Sequence, residues 1–211
     1  MRYKLVIFDW DGTLMDSEPR IVSAMHNAAV SCQLAPVSAQ SVKSIIGMSL
    51  PQAVDTLYPS HSMLHAQLID AYKHHYQSST IATPLFDGAK TVMQSLKRRG
   101  YKIAIATGKG RPGLDRLLSE TGLDQYVDLS RSSDETDSKP SPDMLNQLLN
   151  EANVCVSQAV MVGDTTIDLK MAQAINMDRI GVSFGVCRAQ ELLPYHPIVV
   201  IDELQQLLEY V

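Results

Sequence analysis

The sequence predicts an α/β fold, a doubly wound parallel sheet with a helical insert, and three observations carry that expectation. A short apolar run, Leu5 to Phe8, leads straight into two carboxylates and turn chemistry, Asp9-Trp10-Asp11-Gly12-Thr13. The block from Asp16 to about Pro84 has helical periodicity and no convincing strand. From Asp87 onward strand-like and helix-like segments alternate, a pattern that implies parallel pairing through right-handed crossovers.

Taken in order, Leu5 to Phe8 is short, rich in branched residues and stopped by a turn, as a fully buried strand should be. Val22, Met25, Ala29 and Val30 then recur at helical spacing until Pro36 interrupts. Ser38 or Ser41 caps a short helix running to Ile46, Gly47 ends it, and Leu50 to Leu57 follows as another with Pro51 in its first turn. Met63 to Tyr76 is a longer helix with Leu64, Leu68, Ala71 and Tyr72 on one face. Beyond Asp87, helices are expected at Gly88–Arg99, Pro112–Thr121, Pro142–Glu151, Ile167–Ile175 and Glu203–Tyr210. The strands between and after them are expected at Lys102–Ala106, Val127–Leu129, Ala159–Val162, Ile180–Ser183 and Ile198–Ile201, with Ser130 to Ser138 as a polar surface loop.

A chain of 211 residues holds one substantial core, or a core with a smaller insert. Its formal charge of -5 offers no general attraction to phosphate backbones or anionic lipid, so neither nucleic acid nor membrane is an expected partner. Cys32, Cys155 and Cys187 are odd in number and widely spaced, which fits neither a disulfide framework nor a structural zinc site and suggests a reducing compartment. The first residues lack a signal-peptide apolar region, and no stretch approaches a membrane span, so a cytoplasmic setting is expected.

Asp9 and Asp11 stand at a strand's carboxyl end, where open α/β sheets bind ligands. Side chains two apart on an extended strand point the same way, so both acids can address one pocket. At ~4 Å two carboxylates repel by ~4 kcal/mol for an effective dielectric of ~20, and something positive should sit beside them. The bland alternative is a solvated Asp-Gly turn. Three later segments weigh against it. Thr107-Gly108-Lys109 offers a hydroxyl and backbone N–H groups for phosphate oxygens, although a threonine there also serves as a simple cap. Lys139 precedes a double-proline helix start, where a lysine is commonly solvated. Gly163-Asp164-Thr165-Thr166-Ile167-Asp168 follows an apolar strand with two more acids, whose rival reading is complementing a helix dipole. Gathered at one sheet edge, Asp9, Asp11, Asp164 and Asp168 would demand a hard cation with oxygen ligands, and magnesium fits best. Trp10 should point away from the acids into the core, and His61 with His65 reads as a solvated helix face.

These four segments, spanning Val6 to Asp168, resemble in order the motifs of the haloacid dehalogenase (HAD) superfamily of hydrolases. The helical insert looks like that superfamily's C1 cap, and Pro84-Leu85-Phe86-Asp87-Gly88 like its return hinge. Asp16-Ser17, Ile46-Gly47-Met48-Ser49-Leu50 and Lys139-Pro140-Ser141-Pro142-Asp143 resemble the phosphoglycolate-phosphatase-like branch of subfamily IA. The resemblance implies a Rossmann-like core of residues 1–15 and 85–211, with residues 16–84 as cap. It also implies a magnesium-dependent phosphatase acting on a small phosphorylated metabolite, as a monomer or weak homodimer. Asp9 would be the nucleophile that becomes an aspartyl phosphate and Asp11 the acid and base. Thr107, Gly108, Lys139 and Gly47 would meet substrate. Asp9, Asp164 and the backbone carbonyl of Asp11 would hold magnesium, with Asp168 a ligand or its support. A phosphosugar mutase of the same fold and a non-catalytic binding module are the alternatives. A dehalogenase is disfavoured, because that chemistry needs neither a metal nor an acid at Asp11.

Overall fold

The computed structural model describes residues 2–211. Six strands form one parallel sheet: β1 (Leu5–Phe8), β2 (Lys102–Ala106), β3 (Leu129–Arg131), β4 (Ala159–Gly163), β5 (Asp178–Val182) and β6 (Val199–Ile201). Their order is β3-β2-β1-β4-β5-β6. The chain builds outward from β1 to β3, then crosses back to lay β4 on the other side of β1. Loops leaving β1 and β4 therefore part in opposite directions and open a crevice between them.

Strand alternation explains why this sheet is covered on both faces. Val6 and Phe8 of β1, Ile103 and Ile105 of β2, and Val160 and Val162 of β4 fall in one buried cluster. Leu5, Ile7, Ala104, Ala106, Ala159 and Met161 fall in another. Helices α5 (Ala89–Arg98) and α6 (Arg111–Thr121) cover the first face, while α7 (Asp143–Ala152) and α8 (Thr166–Ala174) cover the second. Trp10 keeps the parity of Phe8 and lies fully buried in the first cluster, as expected.

The insert contains α1 (Glu18–Ser31), α2 (Ala39–Lys43), α3 (Leu50–Leu57) and α4 (His65–Ser78), and these helices bury their own core around Met25, Ala28, Val42, Val54 and Leu68. The chain leaves and returns through paired backbone: Asp16 N donates to the Pro84 carbonyl at 2.9 Å and Phe86 N to that of Leu14 at 3.0 Å. A short α9 (Ala189–Leu192) follows β5. Among the described residues, no helix is long and apolar enough to cross a membrane.

Several boundaries differ from expectation. The third strand begins at Leu129 rather than Val127, because the Asp128 carboxylate accepts from Ile103 N at 2.7 Å in place of a ladder carbonyl. The polar stretch expected as loop thus starts inside β3, and Ser132 is buried. The fifth strand starts at Asp178, two residues early. Val30, counted on the buried face of the first helix, is exposed, and Pro59–Leu64 is a 3-10 segment ahead of α4. The closing helix is 3-10 over Leu204–Glu209, its start held by Gln206, whose side-chain oxygen accepts from Asp202 N at 2.9 Å.

Candidate active site

Strand register brings the candidate residues to one level. Phe8 pairs with Ile105 on one side and Val162 on the other, so Asp9, Thr107 and Asp164 all lie within two residues of the aligned strand ends. Asp9 N still donates to the Val162 carbonyl at 3.0 Å, which keeps the backbone extended as the carboxylate emerges. Gly12, at φ +83°, then turns the chain so tightly that a Cβ there would collide with the Asp164 carboxylate. That turn delivers the Thr13 hydroxyl to Asp164 Oδ1 at 2.9 Å, while Val186 N donates to Asp164 Oδ2 at 2.8 Å.

Lys139 is completely buried, not solvated. Its ammonium donates to Asp9 Oδ1 at 2.6 Å and to Asp168 Oδ1 at 2.7 Å. The segment leading to it is pinned to the start of α6, where Arg111 Nη2 donates to Glu135 Oε2 at 2.5 Å and Arg111 N to Asp134. Asp168 serves two purposes. Its Oδ2 closes a capping box with Thr165, accepting from the hydroxyl at 2.7 Å and from the backbone N–H at 3.2 Å, so the helix start that orients it is also its anchor.

Oxygen atoms of Asp9, Asp164 and Asp168 all lie within 4.8 Å of one another, and all three residues are buried. One ammonium among three carboxylates leaves excess negative charge in a place that solvates it poorly. Burial accordingly pushes the Asp9 carboxyl up to about 7, against the pull of Lys139 and with repulsion from Asp168 and Asp11 added. Asp164 is driven well above the usual carboxylate range by burial, then by Asp9 and Asp168. Burial alone would lower the Lys139 ammonium, but Asp168 and Asp9 outweigh it and hold the lysine charged. Asp9 Oδ2, moreover, is buried with no hydrogen-bond partner among the described residues. An all-oxygen donor set, an orphaned carboxylate oxygen and a surplus of negative charge fit a hard divalent cation.

The Asp11 side chain lies outside this trio. Its Oδ1 accepts from the Ser17 hydroxyl and pairs with Lys109 at 2.9 Å, and Asp11 lines a cavity of about 660 Å3 beneath the insert. Thr107 is buried at the end of β2, where its hydroxyl oxygen accepts from Lys109 N at 3.2 Å, leaving the hydroxyl proton to donate elsewhere. Gly108 and Gly47 meet: a Cβ on Gly108 would collide with the Met48 carbonyl and lie 2.6 Å from that of Gly47.

Sequence reasoning missed Lys109 as a functional cation, along with Tyr76, whose hydroxyl accepts from Lys109 at 3.3 Å. Lys109 lies two residues past Thr107, a spacing that would have flagged it. Tyr72 and Tyr76 are four apart on α4 and lie side by side, with ring centroids 5.8 Å apart. His61 and His65 form no metal cluster with other residues among those described.

A family model described as haloacid dehalogenase-like hydrolase matches residues 6–182. The phosphoglycolate phosphatase of Colwellia psychrerythraea is 26% identical over 215 residues, covering 97% of this chain and 95% of that one. That of Vibrio parahaemolyticus is 28% identical over 218 residues, covering 99% and 96%. The crystal structure of a hydrolase from Pseudomonas syringae shares the fold, with a TM-score of 0.89 at 22% identity, covering 98% of this chain and 97% of that one. By the family match across most of its length and by these full-length relatives, the chain belongs to the haloacid dehalogenase-like hydrolases, and within them to the phosphoglycolate-phosphatase-like branch of phosphatase enzymes.

Proposed function

We propose that this enzyme hydrolyses a small-molecule phosphomonoester, with magnesium, through an aspartyl phosphate on Asp9. The observation that carries the reading is the Asp9 carboxylate at the sheet's switch point, one oxygen held by Lys139 and the other unpartnered. Asp9, Asp164 and Asp168, with the main-chain carbonyl of Asp11, are the groups that would hold the ion. When bound, magnesium supplies positive charge that offsets the carboxylates and draws electron density from the phosphoryl oxygens.

In the first half-reaction an Asp9 oxygen attacks phosphorus, the bond to the leaving oxygen breaks, and that oxygen takes a proton from Asp11. In the second, water attacks phosphorus and gives its proton to Asp11 as the Asp9–phosphorus bond breaks, returning free Asp9 and inorganic phosphate. Splitting the displacement in two lowers each barrier, and Asp11 serves both halves as acid and then base. The Thr107 hydroxyl, the Gly108 N–H and Lys139 hold the transferring oxygens. Lys139 also relieves the repulsion that an arriving phosphoryl group would feel from Asp9. Residues 16–84 act as the cap that covers the leaving group. Cys32, Cys155 and Cys187 are all unpaired, which supports a reducing, cytoplasmic setting.

The test is release of phosphate from p-nitrophenyl phosphate and from phosphoglycolate with magnesium present, abolished by chelation and by Asp9→Asn. Turnover surviving in Asp9→Asn would remove Asp9 as the nucleophile.

A further inference from the structure

The cavity beside Asp11 carries information about the leaving group. At about 660 Å3 it falls in the size range of pockets that enclose drug-sized ligands, roughly 300–1,000 Å3. A two-carbon hydroxy acid displaces only on the order of 100 Å3, at the ~30 Å3 that one water occupies in the liquid. The excess volume does not come from an insert swung away from the core. Gly108 already lies against the Gly47 and Met48 carbonyls, Ser49 N donates to the Ser138 hydroxyl at 2.8 Å, and Lys109 reaches Tyr76 of α4.

The walls are apolar for most of their area, with Ile21, Met25, Ile46, Met48, Ile69 and Tyr72 contributing. Charge on the lining points the same way. Among the described residues, Lys109 is the only lining cation that is not exposed, and it pairs with Asp11 at 2.9 Å and with the Tyr76 hydroxyl, its ammonium 4.9 Å above that ring. Lys73 and Arg116 line the cavity from exposed positions, and Arg116 faces Glu120 at 3.7 Å. A carboxylate carried two atoms from the ester oxygen would enter beside Asp11 and have to draw Lys109 away from Asp11 and the Tyr76 hydroxyl, and a buried, incompletely paired charge is costly.

We propose that the leaving group taken by this cavity has an apolar or aromatic body several times larger than a two-carbon acid and carries no carboxylate next to the ester oxygen. The inference rests on the phosphatase reading above and narrows it to a class of substrate.

The experiment measures phosphate release by the full chain, with magnesium, from a set of esters whose alcohols leave with similar ease: ethyl, butyl, hexyl and 2-phenylethyl phosphate. Phosphoglycolate is compared with isobutyl phosphate, which has the same branching without the charge, and p-nitrophenyl phosphate reports bare activity. Each methylene that enters the apolar wall should raise kcat/KM about 3- to 4-fold, and isobutyl phosphate should exceed phosphoglycolate at least tenfold. Ile69→Trp, which fills part of the cavity, should cut the 2-phenylethyl to ethyl preference at least tenfold. Should that variant fail to fold by circular dichroism, the ester series decides alone. A kcat/KM that stays flat or falls with chain length, or phosphoglycolate ahead of isobutyl phosphate, overturns the inference and leaves the phosphatase reading standing. Release from none of these esters removes both.

Discussion

Lys139 concentrates the physical argument into one side chain. Its ammonium is fully buried between Asp9 and Asp168, and among the described residues neither carboxylate has another cation within 4 Å. Replacing it by methionine keeps the length and removes the charge, leaving Asp9, Asp164 and Asp168 to repel one another in a poorly solvating place. Lys139→Met should cost on the order of 3 kcal/mol of stability and at least a hundredfold in kcat. Denaturant melts and steady-state rates on p-nitrophenyl phosphate measure the two effects separately. A variant with near-normal kcat would show that Lys139 does not act on the transferring phosphoryl group. The lysine's identity was legible in the sequence, but its burial was not, since an isolated lysine before proline has no local reason to be inside.

At the scale of elements, the loops matter more than the strands they follow. Gly108 ends the β2 turn against the Gly47–Met48 loop of the insert, at a distance that admits no side chain. Gly108→Ala should force those carbonyls back, lowering kcat/KM at least tenfold and lowering Tm as well, because the overlap is with backbone that cannot rotate aside. The segment from β3 to Lys139 supplies a pH-dependent counterpart. Glu135 is held down to about 2 from 4.5: burial opposes the shift, but the Arg111 hydrogen bond and the Ser132 N–H and hydroxyl outweigh it. A depressed folded-state value means that the contribution is complete above the unfolded value near 4.5 and is lost as pH falls through about 2. Glu135→Gln should therefore melt below the parent chain at neutral pH, with the gap closing as pH drops from about 4.5 towards 2. A gap independent of pH would show that the ionised carboxylate is not what holds the loop.

For the whole molecule, the surplus of buried negative charge predicts that a divalent ion stabilises the fold. Magnesium at a hundred times its dissociation constant would add ~2.7 kcal/mol, and at ~2–4 °C per kcal/mol for a chain of this size Tm should rise by roughly 5–10 °C. Chelator should reverse the rise and Asp164→Asn should blunt it. Calorimetry showing no shift would mean that the three carboxylates do not bind the ion. The same sheet order that gathers these acids also sets the insert over them, since the chain leaves for the insert at Asp16, five residues after Asp11, and returns at Leu85 beside Met15.

Local periodicity and strand-end chemistry were enough to identify the α/β class, all six strands to within two residues at either end, and the acids, threonine and lysine proposed for the site, because those signals are written within a few residues of each other. The third strand slipped by two because Asp128 takes over a ladder bond with its side chain, a substitution no pattern announces. Only tertiary structure decided which charges meet. Lys139 lies 130 residues from Asp9 in the chain, and Lys109 finds Asp11 and Tyr76 across the boundary between sheet and insert. Such pairings follow from strand order and burial, where water's exclusion makes each unpaired charge costly, and neither quantity exists until the chain has folded.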